Sequence, residues 1–226
     1  LPWGDLTGIR PTKIPMKLLE EGWKNTEIAR YMRETYGVSN EKTALAITIA
    51  NREKALLQDL DYENGYSLYV GIPFCPSICL YCSFGSHPLE RWTKRVDEYL
   101  DTLCKELTFI REQMGTRKLT TVYIGGGTPT TLEPEQLRRL LSHIQETFDF
   151  TWVKEYTVEA GRPDSITREK LQVMKEFPVT RISVNPQTMN QKTLDVIGRK
   201  HTVEDTVNIF HMARELEFDN INMDLI

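Results

Sequence analysis

Apolar positions along the chain alternate between two rhythms. Short runs rich in β-branched and aromatic residues, at 68–72, 122–124, 156–158, 182–184 and 221–226, read as strands. Between them apolar residues recur at helical spacing. Val96, Tyr99, Leu100, Leu103, Cys104, Leu107 and Ile110 form one stripe, and Leu137, Leu140, Leu141, Ile144 and Phe148 form the next, opened by Pro134 at a first helical position. Shorter stripes follow through Ile166, Leu171 and Met174, through Leu194 and Ile197, and through Val203, Val207, Phe210 and Leu216. Strands separated by helices predict a parallel sheet with helices outside, an α/β fold curled into a full or partial (β/α) barrel. Upstream, residues 1–64 read as a separate helical accessory segment. Ile28, Tyr31, Met32 and Thr35 keep helical spacing, Gly22 and Gly37 sit where helix ends fall, and Ser39 is placed to cap a long helix through Ala44, Leu45, Thr48, Ile49, Arg52 and Leu56. The turn signal Asn64-Gly65 sets the boundary with the barrel at 65–226.

In such folds ligands sit at the carboxyl ends of the strands, on the loops that follow them. The unusual residues fall there. Cys75, Cys79 and Cys82, spaced C-x3-C-x2-C, follow the first strand, and Gly125-Gly126-Gly127-Thr128-Pro129 follows the second. Glu159 ends the third, Gln187 follows the fourth and Asp224 ends the fifth. Three thiolates suit either an iron–sulfur cluster with one iron left open or a zinc site with His87 as a fourth ligand. Convergence on one rim favours the cluster, because a structural zinc knuckle gains nothing from the mouth of a barrel. The glycines fit a backbone that approaches a ligand and equally a tight strand-to-helix turn. Glu159 needs a partner, with Arg162 and Arg181 as candidate counter-ions. Cys104 reads as core, and His143, His201 and His211 as surface or helix-packing residues.

Charge and composition narrow the class. The 226 residues carry a net charge of -4 with both signs interleaved, which gives no footprint for nucleic acid. No run approaches the ~20 apolar residues of a membrane helix, and no secretory leader is visible. A soluble protein of a reducing cytoplasm is the expectation. The first residue is Leu1 and the last, Ile226, closes an apolar run, so the chain reads as a fragment ending at its fifth strand.

The cysteine spacing, with Tyr81 before the last cysteine, resembles the signature of the radical S-adenosylmethionine (SAM) superfamily. YVGIPFCPSICLYCSF and TVYIGGGTPT together are similar to the oxygen-independent coproporphyrinogen III dehydrogenase group, HemN-like. WGDLTGIRPTKI, VEAGRPDS and VNPQTMNQKTLDVIGRKHT are similar to its HemZ type. The resemblance implies a 4Fe-4S cluster on Cys75, Cys79 and Cys82, with SAM chelated on the open iron. It implies SAM contacts from Tyr69, Tyr81, Gly126, Gly127, Thr128, Glu159, Gln187, Arg199 and Asp224, with Phe74 and Phe84 shielding the cluster. It further implies oxidative decarboxylation of coproporphyrinogen III to protoporphyrinogen IX, fed by a reductant such as a flavodoxin or ferredoxin. Gly71 departs from the group, many of whose dehydrogenases carry histidine there. That departure keeps open a heme chaperone of the same group, with a radical SAM heme-degrading methyltransferase as a third reading.

Overall fold

The computed structural model describes residues 1–8, 10–61 and 63–226. They divide into two compact units, Leu1–Glu63 and Asn64–Ile226. The first is built from helices α1 (Lys13–Glu20), α2 (Asn25–Tyr36) and α3 (Asn40–Leu57). Gly37 ends α2 in the left-handed conformation, φ 66°, and the Ser39 hydroxyl accepts the Lys42 N–H at 3.3 Å to cap α3. Leu18, Leu19, Ile28, Met32, Val38, Ile47 and Ala50 close its core. The buried face of α3 differs from the expected one: Thr43, Ala46, Ile47 and Ala50 are inside, while Leu45 and Leu56 face solvent. Small side chains bring helices close together, so this contact is carried by alanines that a search for large apolar residues passes over.

The second unit holds strands β1 (Tyr66–Ile72), β2 (Phe74–Cys75), β3 (His87–Pro88), β4 (Leu119–Gly126), β5 (Glu155–Gly161), β6 (Arg181–Val184) and β7 (Ile221–Asn222). β1, β4, β5, β6 and β7 form one parallel sheet in that order, so each crossover adds the next neighbour. This is the stepwise winding of a barrel wall. Helices α4 (Leu89–Trp92), α5 (Val96–Met114), α6 (Pro134–Thr147), α7 (Arg168–Lys175), α8 (Gln191–Val196) and α9 (Val203–Glu215) fill the connections. Side chains alternate across the sheet. Val70, Ile124, Val158 and Ile182 lie in one register row and bury with Leu100, Leu107, Leu137, Leu141 and Met174 of the helices. Each such side chain contributes roughly 1.5–3 kcal/mol on leaving water. The neighbouring row, Tyr69, Tyr123, Thr157 and Arg181, faces the opposite side.

Two details shape the rim. β2 and β3 pair in parallel, Phe74 with His87 and Cys75 with Pro88, and this closes the cysteine loop between them. The expected strand over 221–226 stops at Asn222. Beyond it Gln187, in the left-handed region at φ 66°, donates its N–H to the Asp224 carbonyl at 3.0 Å and accepts the Ile226 N–H at 2.8 Å. Those two bonds form a single parallel bridge, Gln187 with Leu225, that carries the pairing past the end of β7. Among the described residues no helix is long and apolar enough to cross a membrane.

Candidate functional site

At the carboxyl ends of the sheet strands lies a cleft of about 140 Å³. Its wall brings together Cys75, Cys79, Cys82, Tyr81, Gly126, Gly127, Thr128, Glu159, Gln187, Arg199 and Asp224. Tyr69 lies outside this lining. Its ring stacks on Tyr123 of the adjacent strand, centroids 5.7 Å apart and planes 9° from parallel. Burial and the Glu159 charge push the Tyr123 phenol up to about 12.

The cysteine loop is held from several directions. Leu80 N–H donates to the Ile197 carbonyl at 3.1 Å and the Ser77 hydroxyl to the Gly198 carbonyl at 3.3 Å. Cys75 and Cys79 are buried and Cys82 is partly exposed. The Thr128 hydroxyl donates to Cys75 Sγ at 3.5 Å, and Arg162 Nη1 lies 3.9 Å from Cys79 Sγ. Among the described residues no three His, Cys, Asp or Glu side chains close on one point as a single ion requires. The three thiols line one cleft, with donors near two of the sulfurs, and thiolates of this kind are the ligand type that iron–sulfur clusters take. His87, the candidate fourth ligand, lies in β3 with its ring 5.1 Å from Trp92, outside the cleft lining.

Close approach dictates the glycine loop. A Cβ on Gly127 would lie 2.7 Å from the Phe74 carbonyl oxygen and 3.0 Å from both Cys75 Sγ and the Ile72 carbonyl oxygen. Gly126 adopts φ +104°, and a Cβ there would sit 2.9 Å from Ile72 N. The glycines therefore seat their loop against the cysteine strand, with the Gly127 N–H donating to the Ile72 carbonyl at 2.7 Å.

The carboxylates and cations are distributed unevenly. Arg162 pairs with Asp164 at 2.7 Å and Arg181 with Glu155 at 3.5 Å, so neither serves Glu159. Among the described residues, Glu159 accepts a single long bond, from Asn185 Nδ2 at 3.5 Å. Burial, then the charge of Asp224, holds its carboxyl above the usual range. Arg199 is 8% exposed, and its Nη2 donates to the Tyr81 hydroxyl at 3.0 Å. Among the described residues, its Nε and Nη1 are buried without partners, as is Asn185 Oδ1. Buried charged donors left unpaired cost several kcal/mol, so this side of the cleft is built for a ligand with acceptors. The amine, carboxylate and hydroxyls of SAM supply matching groups, and the donor set fits both cofactors.

Ser77 and Asn185 also line the cleft, with no motif to mark them, and Arg162, one of two candidate counter-ions for Glu159, pairs instead with Asp164 of Arg162-Pro163-Asp164. His201, expected at the surface or in helix packing, is 1% exposed. Burial and the Arg199 charge depress its pKa. Cys104 is half-buried on α5, beside the core stripe of Val96, Leu100, Leu103 and Leu107.

Comparison with known proteins agrees with this geometry. The model of the radical SAM superfamily matches residues 69–226. The chain is 42% identical to the oxygen-independent coproporphyrinogen-III oxidase-like protein HemZ of Bacillus subtilis (strain 168), over 99% of this chain and 46% of that protein. It is 40% identical to the heme chaperone HemW of the same organism, over 71% of this chain and 42% of that protein. The structure of coproporphyrinogen III oxidase (HemN) from Escherichia coli, described as a radical SAM enzyme, superposes with a TM-score of 0.65 at 30% identity. It covers 76% of this chain and 40% of that one. The chain thus spans less than half the length of these relatives. With three cysteines, a glycine loop and strand-end polar groups sharing one cleft, the chain belongs to the radical SAM superfamily, in its HemN-like branch, whose cofactors are a 4Fe-4S cluster and SAM.

Proposed function

We propose that this chain forms the cluster- and SAM-binding part of a cytoplasmic oxygen-independent coproporphyrinogen III oxidase that yields protoporphyrinogen IX. The observation that carries the reading is the cleft itself, together with 42% identity to a coproporphyrinogen oxidase-like relative along nearly the whole chain. When bound, the reduced cluster and SAM supply a one-electron cleavage of the sulfonium and a radical able to abstract hydrogen from carbon. The chain's residues bind and orient these groups. Cys75, Cys79 and Cys82 hold three irons. The Gly126-Gly127-Thr128 backbone, seated against the strand that leads into the cysteine loop, would hold the amino group of SAM. Arg199, with Nη2 on the Tyr81 hydroxyl, would offer its cation and its Nε and Nη1 donors to the carboxylate. Tyr81, Glu159, Gln187 and Asp224 would receive the remaining polar atoms, while Tyr69, stacked on Tyr123 outside the cleft lining, would reach SAM only beyond that lining. Each substrate propionate becomes a vinyl group by losing carbon dioxide, one hydrogen atom, taken up by the carbon radical derived from SAM, and one electron, taken up by a one-electron acceptor outside this chain. A flavodoxin or ferredoxin is the proposed source of reducing electrons.

Gly71 favours a second reading, the heme chaperone. A Cβ there would meet the Tyr69 ring at 3.6 Å, an ordinary contact, so the backbone does not itself demand glycine. Anaerobic incubation of the full-length protein with coproporphyrinogen III, SAM and a reductant separates the two. Protoporphyrinogen IX supports the oxidase. Tight stoichiometric heme binding without product replaces it with the chaperone.

A further inference from the structure

Below the cysteine loop lies a buried cation with no assigned role. Gly161, at φ +68°, ends β5 and turns the chain so that Arg162 enters the protein directly beneath the loop. The Arg162 side chain is 4% exposed. One edge of its guanidinium, Nε and Nη2, forks onto the two oxygens of Asp164 at 2.9 and 2.7 Å. The other edge, Nη1, donates to the Ser77 carbonyl and hydroxyl, both at 2.9 Å, and faces Cys79 Sγ at 3.9 Å. The strut is braced from below. The Ser165 hydroxyl donates to the Arg162 carbonyl at 2.9 Å, and buried Lys170 Nζ donates to the Ser165 and Thr130 carbonyls at 3.2 and 2.7 Å.

We propose that Arg162 is a positioning residue for the cluster, fixing Ser77 and Cys79 and setting how readily the cluster is reduced. The proposal rests on the cleft holding the cluster. Cluster potentials respond to nearby charge and to hydrogen bonds on the sulfurs. Arg162 presents its cation to Cys79 while Asp164 occupies the far edge, so the sulfur meets the positive end of the pair. Adding an electron makes the cluster more negative, and the cation stabilises that state. Loss of Arg162 removes the cation and leaves Asp164, 18% exposed, as an uncompensated anion. Loss of the Asp164 charge does the reverse.

The test is a redox titration followed by electron paramagnetic resonance on the full-length protein, reconstituted anaerobically, with R162Q and D164N beside the wild type. R162Q is expected to be about tenfold harder to reduce, about 59 mV toward negative potential for one electron. D164N is expected to move the opposite way. A purely structural role lowers cluster content or thermal stability without moving the two potentials in opposite directions. Should R162Q fail to fold, D164N decides alone, and an unshifted or more negative potential overturns the proposal. A wild type that takes up no iron and sulfide overturns the cluster reading and this proposal together. A loaded wild type with unshifted variants overturns this proposal only.

Discussion

Substituting Gly127 by alanine tests whether the glycine loop is required by its contact with the cysteine strand. The new Cβ would meet the Phe74 carbonyl oxygen at 2.7 Å and Cys75 Sγ and the Ile72 carbonyl oxygen at 3.0 Å each. Two of these are backbone atoms of the strand that delivers Cys75, so no side chain can swing away. Overpacking of this kind costs about 1–3 kcal/mol. For a protein of this size that lowers Tm by roughly 2–12 °C. Because Cys75 Sγ must move with its strand, iron and sulfide uptake is expected to fall as well. Gly71→Ala is the control. Its Cβ meets only the Tyr69 ring at 3.6 Å, and removing glycine's freedom in the unfolded chain adds about 0.4–1 kcal/mol. Thermal denaturation followed by circular dichroism, with iron and sulfide analysis after anaerobic reconstitution, reads both effects. A G127A protein with wild-type Tm and full cluster content refutes the reasoning.

Other substitutions probe the opposite wall of the cleft. Arg199→Met removes buried donors that lack partners, so the ligand-free protein keeps or raises its Tm. Its Kd for SAM, measured by calorimetry, rises about 10–150-fold through loss of charged hydrogen bonds worth about 1.5–3 kcal/mol. A normal Kd excludes Arg199 from the SAM site. The Glu159 carboxyl is raised in the folded state, so its contribution to stability is full below the ordinary carboxylate range and is lost as pH rises through the folded value. Glu159→Gln should therefore raise Tm at neutral pH and lose that advantage in acid; the opposite trend refutes the assigned environment. Ser39→Ala is expected to destabilise the helical unit by about 1 kcal/mol through loss of the α3 cap, read as a lower denaturation midpoint.

Most of the barrel wall was legible because one physical rule repeats. A strand buried on its helix-facing side and a helix with one apolar stripe each leave a period in the sequence, and the chain order of the sheet follows from the βα alternation. The rim was legible for a related reason: polar or glycine residues at strand ends stand out against apolar runs. What stayed hidden depends on distant partners. The alanine face of α3 carries no large apolar signal. The break between β7 and the isolated bridge of Gln187 with Leu225 is announced by nothing near Asn222. Arg162 and Asp164 look like ordinary surface charges until the fold carries them beneath Ser77, and His201 looks ordinary until Arg199 and its neighbours enclose it.

The most direct test of the cleft is SAM cleavage by the full-length protein after anaerobic reconstitution and reduction with dithionite. Formation of 5'-deoxyadenosine and methionine, lost when Cys75, Cys79 or Cys82 is replaced by alanine, is the expected result. A protein that binds iron and sulfide yet leaves SAM intact, or one that cleaves SAM equally well without those cysteines, would contradict it.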